Sequence, residues 1–191
     1  MPTDIHTPFT KAGINIDIGN RCTLQCSQCA RTKFIRQGVP LPGKDMNMEQ
    51  FTKVANFFEN RTIHFCGTFS DPIYNPSFID MLALCKAKHI NARISTAASH
   101  KPASWYSKAF AANTDAEWIF GIDGLPEQSH IYRINQDGVK LFNIMIAGRD
   151  AGLSVTWQYI VFDYNKKRVT KAKRIAKKYK IKFYLIETTR K

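Results

Sequence analysis

Ile14, Ile16 and Ile18 alternate with Asn15 and Asp17, and a period of two predicts a strand over residues 13–19. Five further runs read the same way, over residues 62–66, 91–96, 117–124, 154–162 and 181–186. The fourth of these closes on a turn at Asp123-Gly124. Between them the apolar spacing changes to three and four. Phe51, Val54, Ala55 and Phe58 make one helical face, with Asn47 as N-cap and Gln50 as its capping-box partner. Phe78, Met81, Leu82 and Cys85 make a second. Pro102 suits the first turn of a third, which carries Trp105, Tyr106 and Phe110. Val139, Phe142, Ile146 and Ala147 mark a fourth that ends near Gly152. Val169, Ala172, Ile175, Ala176 and Tyr179 form the inner stripe of a fifth. Residues 1–12 read as an irregular lead-in, and residues 32–45, with two glycines and two prolines, read as a loop.

Strand and helix alternate about six times. That order implies βαβ units and a parallel sheet. Right-handed crossovers place all the helices on one side if the sheet curls. The expected fold is α/β, a partial (β/α)6 TIM-like barrel that is open and lacks the final helix. With no helical pattern after the sixth strand, that edge is expected to be bare, or covered by another segment, a second subunit or a partner.

The chain has 191 residues, enough for one domain over residues 1–191. Hydrophobic residues make up 44% and aromatic residues 12%, which excludes a disordered chain. No apolar run approaches the roughly 18–20 residues that span a bilayer. The N-terminus has neither a basic start nor an apolar stretch, so a cytoplasmic protein is expected. Five cysteines, an odd number, fit a reducing compartment rather than a disulfide framework. The net charge of +13 is unevenly placed. Residues 166–191, a strongly basic terminal helix and strand, hold twelve Lys and Arg against the single acid Glu187. Such a segment suits RNA, DNA or an acidic peptide, or forms a solvated face.

The chemistry is concentrated directly after the first strand. Cys22, Cys26 and Cys29 are spaced C-x3-C-x2-C on one short loop. Soft thiolates so gathered suit zinc or an iron–sulfur cluster. A closed zinc site wants four protein ligands, and a cubane cluster has four iron corners. Three local cysteines leave one position open. In a parallel barrel the ligand site lies at the C-terminal ends of the strands. The other polar candidates fall there as well: Ser70-Asp71-Pro72 after strand two, Ser95-Thr96 at the end of strand three, Asp123 after strand four and Gln158 on strand five. His64 and Cys66 alternate with Phe65 in strand two and read as core, and Cys85 reads as packing.

The cysteine spacing closely resembles that of the radical S-adenosylmethionine (radical SAM) superfamily, and the strand–helix order extends the resemblance over nearly the whole chain. The resemblance implies a [4Fe-4S] cluster on Cys22, Cys26 and Cys29, with S-adenosyl-L-methionine (SAM) chelating the fourth iron. Gln28 stands where the family often has an aromatic residue near the adenine. Residues 70–76 resemble a variant of the family's Gly-Gly-Glu-Pro loop, whose carbonyls accept from the SAM ammonium; Ser70 and Asp71 stand for the usual Gly and Glu. Ser95 and Thr96 take the place of a ribose-binding segment, and Gln158 is a further candidate near the ribose. Residues 122–124 and 130–133 resemble stretches of peptide-modifying members. They make Arg133 a candidate partner of the SAM carboxylate and Asp123 a candidate to orient substrate or relay a proton. Arg31, next to the cysteines, would favour a reduced cluster electrostatically.

The implied activity is reductive cleavage of SAM to a 5′-deoxyadenosyl radical that abstracts hydrogen from a substrate. It needs an external one-electron donor of flavodoxin or ferredoxin type. The stretches around Asp123 and Arg133 favour a peptide or protein substrate. An enzyme acting on RNA or a nucleotide is the alternative drawn from the basic terminus. A non-catalytic iron–sulfur or zinc binding module is the alternative of another class.

Overall fold

The computed structural model describes residues 13–188. The lead-in expected over residues 1–12 lies outside them. Six strands form one wholly parallel sheet in the order β1-β2-β3-β4-β5-β6: β1 (Gly13–Ile16), β2 (Thr62–Phe65), β3 (Asn91–Thr96), β4 (Glu117–Gly121), β5 (Ser154–Val161) and β6 (Lys182–Glu187). Each strand pairs with its sequence neighbour, the order of a sheet that curls in one direction. Helices α2 (Met48–Phe57), α3 (Phe78–Ala87), α4 (Ala103–Ala112), α5 (Gly138–Asp150) and α6 (Val169–Lys178) fill the crossovers. This is the open, partial α/β barrel that the alternation implies. No helix follows β6 among the described residues, and none of the helices is long and apolar enough to cross a membrane.

The period-two pattern sorts the two faces of the sheet. Ile63, Phe65, Ile94, Trp118, Phe120, Trp157 and Tyr159 are fully buried on the helix side. Trp118 is packed by Phe110 at 5.1 Å and by Phe78 and Tyr106 at 6.2 Å, and Trp157 by Phe142 and Phe183 at 5.2 and 5.4 Å. The intervening residues His64, Arg93, Ser95 and Gln158 are half-buried on the inner face. The core therefore lies between sheet and helices, and the concave side stays polar and open to ligand.

Two expectations are corrected. The loop expected from residue 32 begins as a helix, α1 (Ala30–Arg36), and ends only where Gly38 takes φ 66°. Residues 30–36 contain no Gly or Pro, and the Cys29 carbonyl accepts from Lys33 N at 3.0 Å, so the third cysteine itself starts the helix. The inner face of α5 is also different. Val139 and Ala147 are exposed, while Leu141, Phe142, Ile144, Met145 and Gly148 are buried. The large apolar side chains Leu141, Phe142, Ile144 and Met145 define that face, and Gly148 lies on it where space is short: a Cβ there would stand 3.2 Å from the Phe110 ring and 3.3 Å from Val155, so a larger residue would need its neighbours to shift by a few tenths of an ångström.

Candidate functional site

The cysteine loop leaves β1 and is tied to three other strand ends. Asp71 N donates to the Arg21 carbonyl at 2.9 Å, and Arg21 donates to the Tyr74 carbonyl at 2.6 Å. The Thr23 hydroxyl bonds Tyr74 Oη at 2.7 Å and His100 Nδ1 at 2.8 Å. Gln25 N donates to the Ile134 carbonyl at 3.1 Å, and Asn135 Nδ2 to the Thr23 carbonyl at 3.2 Å. These contacts bring the loops after β2, β3 and β4 onto the cysteines.

Between them lies a cavity of about 220 Å³. Cys22, Cys26, Cys29 and Arg31 line one side, and Ser70, Asp71, Ser95, Thr96, Arg133 and Gln158 line the rest. Burial, and then the negative charge of Asp71, push the Cys22 thiol up to about 12. Burial raises Cys26 as well, against the opposing charge of Arg133. Both thiols are thus stable as neutral groups until a metal displaces the proton.

Each candidate residue has a definite place. Ser70 donates to Asp17, which also accepts from Thr68 N at 2.8 Å and Phe69 N at 3.0 Å. Asp17 therefore pins the loop after β2 as it passes the cysteines. Asp71 is buried, and its carboxylate accepts from Thr96 Oγ1 at 2.9 Å, Ala97 N at 2.8 Å, Ala98 N at 3.0 Å and Ile73 N at 3.3 Å. Burial raises its pKa, and these donors oppose the rise. The Asp71 side chain joins the ends of β2 and β3, and the Thr96 hydroxyl is engaged by it. Ser95 Oγ instead meets His64 Nε2 at 2.7 Å on the inner face.

Arg133 reaches the cavity from the segment before α5. Its Nε lies 2.7 Å from Asp123 Oδ2, behind the lining. Gln28 is exposed on the outer side of the loop, in a shallow depression with Lys33 and Arg36, and Pro72 is buried in the 3₁₀ turn Pro72–Tyr74. Of the candidates, Gln28, Pro72 and Asp123 are not part of the cavity lining.

Three residues at the site carry no motif. Cys66, read as core, is half-buried and lines the cavity; burial and the charge of Asp17 push its thiol up to about 11. Gly121 makes room for Arg133, because a Cβ there would stand 2.8 Å from the guanidinium Nη2. Gln136 donates to the carbonyls of Ala97 at 2.6 Å and Gly121 at 2.9 Å, and so joins the ends of β3 and β4. Asp17 was legible as a polar position in the β1 alternation; Gly121 and Gln136 had no such signal.

The residues present fit a cluster with SAM. A zinc ion needs its donors within about 2.3 Å of one point, and among the described residues no group of three Cys, His, Asp or Glu side chains is gathered in that way. In a cubane each thiolate takes a different iron, and three soft donors along one wall of a cavity suit that division. Facing them is a buried guanidinium, the usual partner of a carboxylate.

No protein-family model matches the sequence, and no curated protein matches it. Solved structures do match the fold. SuiB of Streptococcus suis bound to S-adenosylmethionine superposes with a TM-score of 0.75 at 11% identity, over 94% of this chain and 41% of SuiB. The protein anSMEcpe, with bound AdoMet and the Cp18Cys peptide, gives 0.69 at 15% identity, over 92% of this chain and 50% of its own. Methylornithine synthase (PylB) gives 0.66 at 13% identity, over 92% and 54%. All three are radical SAM enzymes, and the architecture described above is the fold they share. The chain spans about half the length of these proteins or less.

Proposed function

We propose that this chain is a radical SAM enzyme that abstracts hydrogen from a peptide or protein. The observation that carries the reading is the meeting of Cys22, Cys26, Cys29 and Arg133 around one cavity at the C-terminal ends of the strands. Cys22, Cys26 and Cys29 hold a [4Fe-4S] cluster through their thiolates, with one iron left to SAM. When bound, the two cofactors supply reductive cleavage of the sulfonium and a 5′-deoxyadenosyl radical that takes hydrogen from the substrate. Arg133, steadied by Asp123, holds the SAM carboxylate. The carbonyls of the loop at Ser70 accept from its ammonium, and Ser95 and Gln158 face its ribose. Asp71 and Thr96 keep that wall in place, and the packed walls exclude water from the reacting atoms. An external flavodoxin or ferredoxin delivers the electron, in a cytoplasm reducing enough to keep five thiols free.

The peptide assignment is supported by two proteins of the same fold, SuiB, bound to the precursor peptide SuiA, and anSMEcpe, bound to the Cp18Cys peptide. The decisive experiment is anaerobic reconstitution followed by dithionite and SAM. Formation of 5′-deoxyadenosine, abolished in Cys26→Ala, supports the enzyme. A complete cluster that yields none rejects it in favour of a binding module.

A further inference from the structure

On the proposed function, SAM and substrate fill the cavity when the electron arrives, so its carrier has to approach from the other side of the cysteine loop. Two depressions open on that side. Cys29 lines one, with Ser27, Gln28, Lys33 and Arg36, and Cys22 lines the other, with Gln25, Arg31, Ile35 and Arg36. Both cysteines also line the cavity. Two of the three ligand thiols therefore stand between the cavity and the outer surface, and Arg36 borders both openings. Electron transfer through protein weakens steeply with distance, so the surface over these two cysteines is the short way in.

That surface is built on α1. Phe34 meets Phe69 edge-on at 5.2 Å and Thr32 is buried, which seats the helix against the loop after β2. The turn that follows folds back on the helix: Gly38 N donates to the Ile35 carbonyl at 3.1 Å and Val39 N to the Phe34 carbonyl at 3.0 Å. Lys33, Ile35, Arg36 and Val39 are left exposed, Ile35 by 51% and Val39 by 43%.

Charge and apolar surface together define the partner. Residues 18–44 contain five cations and no carboxylate. Arg21 pairs with Asp45 at 2.6 Å. Among the described residues no carboxylate pairs with Arg31, Lys33, Arg36 or Lys44. An acidic partner is therefore steered to this face. Ile35 and Val39 make that partner a protein. A nucleic acid backbone or another hydrophilic polyanion gains nothing by covering them, whereas a protein interface buries apolar side chains beside arginine. The basic segment 166–180 carries more charge, but none of its large apolar side chains is exposed and it takes no part in the cavity.

We infer that the exposed face of α1 and the turn after it, centred on Lys33, Ile35, Arg36 and Val39, is the docking surface for an acidic protein that carries a one-electron centre. One electron leaves the reduced carrier and enters the cluster from the side of Cys22 and Cys29. The carrier is oxidised by one electron, the cluster is reduced by one, and no covalent bond or proton moves.

The test uses the reconstituted full-length protein with two acidic carriers, a flavodoxin and a ferredoxin. Binding is read by fluorescence anisotropy of each labelled carrier across a salt series, starting at low salt because electron-transfer interfaces are small and weak. Formation of 5′-deoxyadenosine is read in parallel with each reduced carrier and with dithionite, which needs no docking. At least one carrier should bind, more weakly as salt rises. Lys33→Gln/Arg36→Gln should weaken that carrier about tenfold at low salt and slow carrier-driven turnover, with iron content and dithionite-driven turnover unchanged. Ile35→Ser/Val39→Ser should weaken the carrier about fivefold and leave binding of polyglutamate as it was. Lys33→Arg/Arg36→Lys should retain binding, which keeps the test valid if the Gln variant misfolds. Lys167→Gln/Lys171→Gln, in the basic segment, should bind the carrier as the parent does. A parent that binds a carrier at this face but makes no 5′-deoxyadenosine with dithionite keeps the docking surface and rejects the radical SAM reading. The docking surface is overturned by no binding of either carrier at low salt, by equal binding of a folded Lys33→Gln/Arg36→Gln variant, by an equal loss in Lys167→Gln/Lys171→Gln, or by an equal loss of polyglutamate in Ile35→Ser/Val39→Ser.

Discussion

Arg133 Nε stands 2.7 Å from Asp123 Oδ2, and the other oxygen of this fully buried carboxylate accepts from Ile160 N at 2.8 Å. Burial alone would weaken the charge on Arg133, but Asp123 opposite it, through its charge and its hydrogen bond, acts together with Cys26 and Tyr132 to raise its pKa. The guanidinium is therefore a permanent, oriented cation at the cavity. Asp123, two residues after the end of β4, holds it there from behind.

Asp123→Asn leaves that cation buried without its partner. A loss of about 3 kcal/mol in unfolding free energy is expected, measured by urea denaturation. Gly121→Ala acts on the same cation differently. The added Cβ meets the far end of a flexible side chain, so the fold should hold while the guanidinium shifts. Equilibrium dialysis of the reconstituted protein should show SAM affinity reduced about tenfold, or about 1.4 kcal/mol, with little change in Tm.

Under the proposed function, the four cysteines that line the cavity divide into three ligands and one bystander. Reconstituted protein should bind about four irons. Cys22→Ala, Cys26→Ala and Cys29→Ala should each lose most of that iron and its visible absorbance. Cys66→Ala should keep both and still form 5′-deoxyadenosine. Loss of iron in Cys66→Ala would make Cys66 a fourth ligand and close the corner assigned to SAM.

Asp71 joins two strand ends through its carboxylate. Asp71→Ala removes the acceptor for Thr96 Oγ1 and for the amides of Ala97 and Ala98. Leaving such groups unpaired costs about 1–3 kcal/mol each when they stay dry. Faster hydrogen exchange at Ala97 and Ala98 and a lower Tm are the expected readouts, with the cysteine loop still able to take up iron.

Alkaline pH should weaken the fold in a defined window. Burial pushes the Cys85 thiol from 9.0 up to about 12. Burial, and then the charge of Asp123, push Tyr159 from 10.0 to about 12. Both groups stay protonated in the folded protein while the unfolded chain ionises. Their contribution is therefore complete below pH 9 and is lost as pH rises towards 12. Each such proton contributes a slope of about 1.4 kcal/mol per pH unit. Cys85→Ala should flatten the decline of unfolding free energy over this range by one proton's worth. An unchanged slope would mean that Cys85 ionises normally in the folded state.

The alternation of period two with period three to four determined the element order, and with it the parallel sheet, because burial against one or two faces imposes those periods directly. Cysteine spacing likewise determined that three thiols share one loop, since a seven-residue span leaves them nowhere else to go. Contacts between distant segments left no such trace. Nothing in the chain's order says that Arg133 passes over Gly121, that Cys66 opens onto the same cavity as Cys26, or that Asp71 turns towards Thr96 rather than towards a ligand. Packing of Leu141, Phe142, Ile144 and Met145 decided which side of α5 faces inward, against a pattern that favoured Val139 and Ala147. Local periodicity reports how much of a residue is covered. What covers it, and what shares a cavity with it, is set by how the strands pair and how closely the helices approach them, and only the folded chain contains that information.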